Sequence, residues 1–309
     1  MLDFTRRSII RLRQGFGGYP LHSKPPAYAG SFAEAGKVYI IAGPTASGKS
    51  TLAKKLAQEK NGVILNGDSL QVYRGLEILT AQPSLEDQKE VPHRLYGFLD
   101  PQATWSAGKW ISLVLPEIEG ILKEGRAPIV VGGTGLYLKT LSMGISPLPP
   151  VDPDVRKSLQ AQTRSQDSFY DELQTIDPEL AARIDPHDRQ RTLRGLEVFH
   201  GTGKPLSFWQ SQKPAPSPYE FEKILLMLSK EDLELRIIAR LENMLERGVL
   251  QEASRFLARS PSVTAMKAIG LREFGSYLNG ECSLDEAKEL ILVHTRQYAK
   301  RQRTWFRHQ

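Results

Sequence analysis

The chain has 309 residues of ordinary globular composition, with 41 Lys and Arg against 35 Asp and Glu for a formal net charge of +6, and one cysteine. The lone thiol, Cys282, excludes an internal disulfide and any zinc site built on several thiolates, and it suits a reducing, cytoplasmic setting. Nowhere do about eighteen uncharged apolar residues run together, so no membrane span is expected.

Residues 1–36 carry Arg6, Arg7, Arg11 and Arg13, then Gly17-Gly18 and Pro25-Pro26, with only Asp3 and Glu34 as acids. This reads as a disordered basic tail. Its character is that of a transit peptide as much as of a bacterial tail or a misplaced start. From residue 37 to 142 apolar strands alternate with helical patterns, as in a wound parallel sheet. Val38–Ala42 predicts the first strand, and a helix with Leu52, Ala53, Leu56 and Ala57 on one face follows. Between them stands Gly43-Pro44-Thr45-Ala46-Ser47-Gly48-Lys49-Ser50-Thr51. A glycine-bracketed turn between strand and helix start aims backbone N–H groups and a helix N-terminus at one point, where linked phosphates can sit. Lys49 adds a charge, and Ser50 offers a hydroxyl to a magnesium ion.

Gly62–Asn66 predicts a second strand ending at Asp68, and Pro128–Val131 another ending at Gly132-Gly133-Thr134-Gly135. Ligands gather beyond the carboxyl ends of such strands, so Asp68 and Thr134 are expected to face the phosphate loop. An acid at Asp68 either holds magnesium through water, removes a proton from an acceptor, or merely caps the following turn. Ser69 and Gln71 supply the hydroxyl and amide that commonly read a base edge. The prolines of residues 145–153 break the alternation, and residues 143–217 read as an all-helical insertion domain closed by the proline-rich stretch 213–218. A strand over Lys223–Ser229 then returns to the sheet, completing a core of residues 37–142 and 218–309. Helices are expected over Lys230–Ala258 and Ser283–Phe306, the latter with a Ser283/Glu286 capping box. From His294 onward Arg296, Lys300, Arg301, Arg303 and Arg307 occur with no acid, interleaved with Tyr298, Trp305 and Phe306. Charge alone fits nucleic-acid contact and a solvated helix face equally.

The segments GPTASGKS, GDSLQVYRGLEI, TAQP, PHRL, PIVVGGTGLYLK, SPLPPVDPDVR, DRQRTLRGLEVFHGTGKPLS, LERGVLQE, MKAIGLRE and TRQYAKRQRTWFR stand in this order, and together they resemble the tRNA dimethylallyltransferases. The resemblance implies an α/β fold with a P-loop NTPase-like parallel sheet and a helical insertion, and a monomer is expected. It implies that Gly43–Thr51 and Arg236 hold the diphosphate of dimethylallyl diphosphate, with magnesium at Ser50. Asp68 is then the general base on the adenine N6 amine, with Thr45 and Thr134 beside the reacting carbon. Asp68, Ser69, Leu70, Gln71 and Thr134 receive the extruded adenosine that follows the anticodon. Arg156 and Gln190-Arg191-Thr192-Leu193-Arg194 touch the anticodon arm of the tRNA. Arg240, one turn beyond Arg236, either assists or faces solvent.

Phe199, Phe208 and Trp209 can stack on RNA bases but are expected in the core, and His93 reads as structural. Three positions depart from the family pattern: Leu79 and Gln82, where glycine and lysine are usual, and Leu271, where a tyrosine is usual. Other readings are a prenyltransferase for free adenine nucleotides, a small-molecule kinase that uses ATP, and a nucleotide-dependent RNA-binding switch.

Overall fold

Apolar runs bounded by turn residues become strands that are buried on both faces once helices cover the sheet. A computed structural model describes residues 9–13, 36–214 and 217–308, with 9–13 as backbone alone. Its strands are β1 (Ile9–Arg13), β2 (Lys37–Ala42), β3 (Gly62–Asn66), β4 (His93–Arg94), β5 (Ala127–Gly132) and β6 (Glu220–Leu226), in the spatial order β1-β6-β2-β5-β3-β4. All neighbours pair in parallel except β1, which runs antiparallel to β6 at the edge. The expectation of a disordered tail therefore fails for Ile9–Arg13, while the rest of residues 1–35 lies outside the described residues.

Alternate residues take alternate faces. Val38, Ile40, Val63, Leu65 and Val130 cluster with Trp110, Val114, Ile118 and Ile121 of α3 (Ala107–Lys123), one helix after the short α2 (Leu85–Glu90). Tyr137, Leu138 and Leu141 of α4 (Gly135–Met143) join the same cluster. Tyr39, Ile41, Ile64, Ile129 and Val131 cluster on the other side with Ala53 and Ala57 of α1 (Lys49–Lys60). Each fully buried aliphatic side chain contributes about 1.5–3 kcal/mol of transfer free energy. From β2 the chain passes through α1 to β3, leaving room for β5 between the two strands, and β6 returns on the opposite side of β2. The winding thus reverses at β2, whose carboxyl end opens the crevice.

One unit of the chain, Met143–Pro216, is all helical. Its helices are α5 (Pro153–Ala161), α6 (Gln166–Ile176), α7 (Pro178–Ala181), α8 (Arg189–Thr202) and α9 (Leu206–Ser211). They close over Leu159, Phe169, Leu173, Leu180, Ala181 and Leu196. Buried Asp177 ties the unit together, since its carboxylate accepts from Leu180 N and, 30 residues on, from Ser207 N. Of the three aromatics expected in this core, Phe199 and Trp209 are half-buried and Phe208 is exposed.

The other unit, Met1–Ser142 with Ser217–Gln309, contains the sheet and the C-terminal helices. The single helix predicted over Lys230–Ala258 is two, α10 (Lys230–Glu246) and α11 (Val249–Leu257), because Gly248 at φ 87° turns the chain between them. A 3-10 turn at Ala265–Lys267 and α12 (Leu271–Leu278) follow, then α13 (Leu284–Arg307), which carries the predicted capping box. The returning strand also starts three residues earlier than expected, as β6 pairs from Glu220 with Lys37. Leu241, Met244, Val249, Ala253, Phe256, Phe274 and Ile291 of these helices pack on Val72, Tyr73, Leu76 and Leu79, so the segment after β3 is held by the end of the chain. Among the described residues no helix is long and apolar enough to cross a membrane.

β3 and β5 touch where they end. A Cβ at Gly132 would lie 2.1 Å from the Gly67 carbonyl oxygen and 2.2 Å from its carbon, both backbone atoms that cannot step aside. Gly132→Ala is therefore expected to cost about 3 kcal/mol in urea denaturation. A midpoint equal to that of the parent chain would refute this close approach.

Candidate active site

The phosphate loop is built to leave donors open. α1 starts at Gly48, whose φ of 90° few other residues adopt, and no side chain caps its first N–H groups and no acid stands in its first turn. Those N–H groups carry the positive end of the helix dipole with nothing to oppose it. Ala46 takes the left-handed conformation at φ 59° without being glycine. Ser47 is fully buried, and its hydroxyl has no partner among the described residues. Lys49 donates to the Pro44 carbonyl at 2.6 Å, and burial pushes its ammonium down to about 8.

Asp68 stands at the end of β3 as expected. Buried Asn66 sets its turn, donating from Nδ2 to the carbonyls of Asp68 and Leu95, both at 3.0 Å, and accepting from Asp68 N at 2.8 Å. Oδ1 of Asp68 accepts from Leu70 N at 2.9 Å, while Oδ2 has no hydrogen bond to a described residue. The aspartate thus caps its turn with one oxygen and presents the other. From the end of β5, Thr134 Oγ1 accepts from Ser69 N at 3.1 Å. Gln71 spends both amide hydrogens on the carbonyls of Thr80 and Ala81, each at 2.9 Å, which leaves its carbonyl oxygen to meet a base.

Both arginines of α10 turn inward. Arg236 donates to Ser47 O at 3.4 Å, and Arg240 donates to Thr45 Oγ1 at 2.9 Å and to Leu79 O at 3.3 Å. This decides the alternative left open for Arg240: it belongs to the site. Burial lowers its pKa, opposed by the negative charge of Asp68. Burial also raises the phenols of Tyr96, Tyr137 and Tyr298, and the same carboxylate raises them further. A cavity of about 1170 Å³ joins all these groups, lined by Thr45–Thr51, Asp68–Gln71, Thr134, Arg236, Arg240 and Tyr298. It exceeds the usual range of about 300–1,000 Å³ for a single small ligand, leaving room for two reactants.

Leu79 and Gln82 line this cavity, and His93, half-buried with Nδ1 2.9 Å from Val91 O, lines it too. Leu271 does not line it, being wholly inside the core of the C-terminal helices. The largest contribution missed by the sequence reading comes from α13. Its residues His294, Thr295, Tyr298, Arg301 and Gln302 line the cavity, and His294 Nδ1 lies 2.5 Å from buried Glu273. Tyr298, Gln302 and Trp305 recur at helical spacing, a signal hidden among the basic residues that flank them.

Within the helical unit the expected RNA-binding residues divide. Arg191 is 67 % exposed and reaches only Asp188, at 3.4 Å, and Gln190 beside it is exposed as well. Arg156 and Arg194 are both drawn to buried Glu197, at 2.8 and 2.7 Å. Thr192 is fully buried, with its hydroxyl donated to Asp188 O and accepting from Gln166, and Leu193 packs into the core of the unit. The expectation that the Thr192 side chain touches RNA is corrected accordingly: it holds the start of α8 in place.

Comparison with known proteins places the chain among relatives of one kind. Residues 71–309 match the family model described as IPP transferase, and residues 36–103 match that of isopentenyl transferase. The tRNA dimethylallyltransferase of Bartonella tribocorum is 48 % identical over 280 residues, covering 88 % of this chain and 95 % of the relative. That of Geobacter sulfurreducens is 46 % identical over 276 residues, covering 88 % and 89 %. The crystal structure of a tRNA isopentenylpyrophosphate transferase from Bacillus halodurans is 35 % identical with a TM-score of 0.61, covering 88 % of this chain and 87 % of that one. A eukaryotic dimethylallyltransferase crystallised acting on tRNA is 32 % identical with a TM-score of 0.75, covering 88 % and 70 %. With a family model matched over residues 71–309 and relatives 46–48 % identical along most of its length, the chain belongs to the IPP transferase family.

Proposed function

We propose that the chain transfers a dimethylallyl group from dimethylallyl diphosphate to the N6 amine of the tRNA adenosine next to the anticodon on its 3′ side. The observation that carries this reading is one cavity in which an uncapped phosphate loop, two inward arginines and a carboxylate with an open oxygen face each other. The names of the relatives supply the dimethylallyl group and the tRNA, and the family resemblance supplies the diphosphate donor and the N6 position. The diphosphate sits on the N–H groups of Gly48–Thr51, against Lys49, Arg236 and Arg240. The N6 nitrogen bonds to the allylic carbon, the bond from carbon to the bridging oxygen breaks, and diphosphate leaves with the electron pair. Asp68 Oδ2 accepts the proton lost from N6. Thr45 Oγ1 already accepts from Arg240, so its own proton is directed away, toward the bridging oxygen on which charge develops. Thr134, tied to Ser69, holds the opposite wall beside the reacting carbon.

Magnesium fits the residues present. Ser50 offers a hard hydroxyl oxygen at the cavity wall, and magnesium characteristically takes one or two protein oxygens and completes its shell with phosphates and water. When bound, it neutralises charge on the diphosphate. Ser50 would hold it.

The adenosine must leave its stack to reach Asp68, at a cost on the order of a few kcal/mol. Exposed Arg191 supplies phosphate contact that offsets this cost, a feature that a free adenine nucleotide does not require. We read the active form as a monomer working in the cytoplasm. Incubation with labelled dimethylallyl diphosphate and total tRNA, followed by nucleoside analysis, tests the reading. Prenylated adenosine is expected; label on a free nucleotide, or none on RNA, would overturn it.

Asp68→Asn keeps an acceptor for Leu70 N but removes the base. Single-turnover transfer is expected to fall at least about a hundredfold with tRNA affinity kept. A rate near that of the parent chain would remove Asp68 from this role. Arg191→Gln is expected to weaken tRNA binding and to lower the slope of log affinity against log salt by about one, with diphosphate affinity unchanged. An unaltered slope would separate Arg191 from the RNA.

A further inference from the structure

Gln302 stands 257 residues from Thr45 in sequence and is only 5 % exposed. Its Oε1 accepts from Thr45 N at 2.8 Å, and its Nε2 donates to Gly133 O at 2.8 Å. Glycine keeps this space open, because a Cβ at Gly133 would stand 2.2 Å from the Gln302 amide nitrogen. Trp305 fills the matching space over Gly135, where a Cβ would come within 2.1 Å of its ring nitrogen. One turn earlier, Tyr298 reaches Thr134. Three side chains on one face of α13 therefore seat on the end of β5, and Gln302 continues to the phosphate loop.

The residue after Thr45 is Ala46, at φ 59°. A non-glycine residue in that region costs on the order of 1–3 kcal/mol and persists only where its neighbours hold it. Thr45 is held twice, by Gln302 at its N–H and by Arg240 at its hydroxyl. A primary amide is the neutral side chain that carries a donor and an acceptor side by side, as a facing N–H and carbonyl require.

We propose that Gln302 is a positioning residue for the donor diphosphate. By tying Thr45 N–H to the Gly133 carbonyl, it keeps Ala46–Gly48 in the conformation that aims the loop at an anion. The inference rests on the reading that the loop holds diphosphate, and its test separates the two.

Inorganic diphosphate with magnesium is titrated calorimetrically into the full chain and into Gln302→Met and Gln302→Glu. Methionine keeps the length and packing of the side chain but makes neither hydrogen bond. Its diphosphate affinity is expected to fall about tenfold, with the KM for dimethylallyl diphosphate rising in step. Its tRNA affinity and its folded baseline at the assay temperature are expected to be those of the parent chain. Ionised glutamate keeps only the acceptor, whereas protonated glutamate restores both bonds. Its affinity relative to the parent chain is therefore expected to recover as pH falls from about 8 to about 6. Equal diphosphate affinity in Gln302→Met overturns the positioning role. Should that variant not fold, a flat pH ratio for Gln302→Glu overturns it instead. Failure of the parent chain to bind diphosphate at all overturns the reading of the loop, and this proposal with it.

Discussion

The site depends on backbone N–H groups that the fold leaves without partners. A helix start ordinarily satisfies its first donors with a capping side chain, and α2, α3, α10 and α13 of this chain all do so through a serine. α1 does not, and the glycine at its N-cap has no side chain to offer. The loop before it is bent by Ala46 and Gly48, both in the left-handed region. That start leaves a place for an anion where a serine would otherwise stand.

Around that gap the sheet topology gathers what the chemistry needs. The ends of β2, β3 and β5 carry Thr45, Asp68 and Thr134, and α10 adds its arginines, Arg236 standing 189 residues after Ser47. Local sequence made the first three legible, because a strand that ends in a glycine turn states both its direction and its carboxyl end. Arg236 came from family resemblance, and Arg240 was undecided because a helical arginine looks the same facing inward or outward.

What escaped the sequence reading did so for physical reasons. The Tyr298, Gln302 and Trp305 face was masked by basic neighbours, and its partners Gly133 and Gly135 read as turn residues rather than as a seat for a helix. Those glycines are small because α13 lies against them. The break at Gly248 was missed because no proline or turn cluster marks it, and a lone glycine at φ 87° is enough to end α10. The edge strand at Ile9–Arg13 was missed because basic residues obscure a short apolar run, although an edge tolerates them. Thr192 was assigned to RNA by its place in a motif, whereas hydroxyls in the first turn of a helix often bond backward to the carbonyl four residues before.

The electrostatics give the cavity a direction. Lys49, Arg236 and Arg240 line one cavity with Asp68, and burial, together with the nearby Arg240 charge, lowers Lys49 to about 8. Such crowding is unfavourable, and it is relieved in proportion to the negative charge that enters. A diphosphate ester bears less charge on its bridging oxygen than the free diphosphate it becomes. Stabilisation therefore grows as the carbon–oxygen bond lengthens, which is the condition for lowering a barrier rather than merely tightening a substrate. In the proposed reaction Asp68 balances the opposite change, since the amine that attacks becomes cationic as the diphosphate departs. A carboxylate on one side and a cluster of cations on the other match the charge separation of the transition state better than they match either reactant.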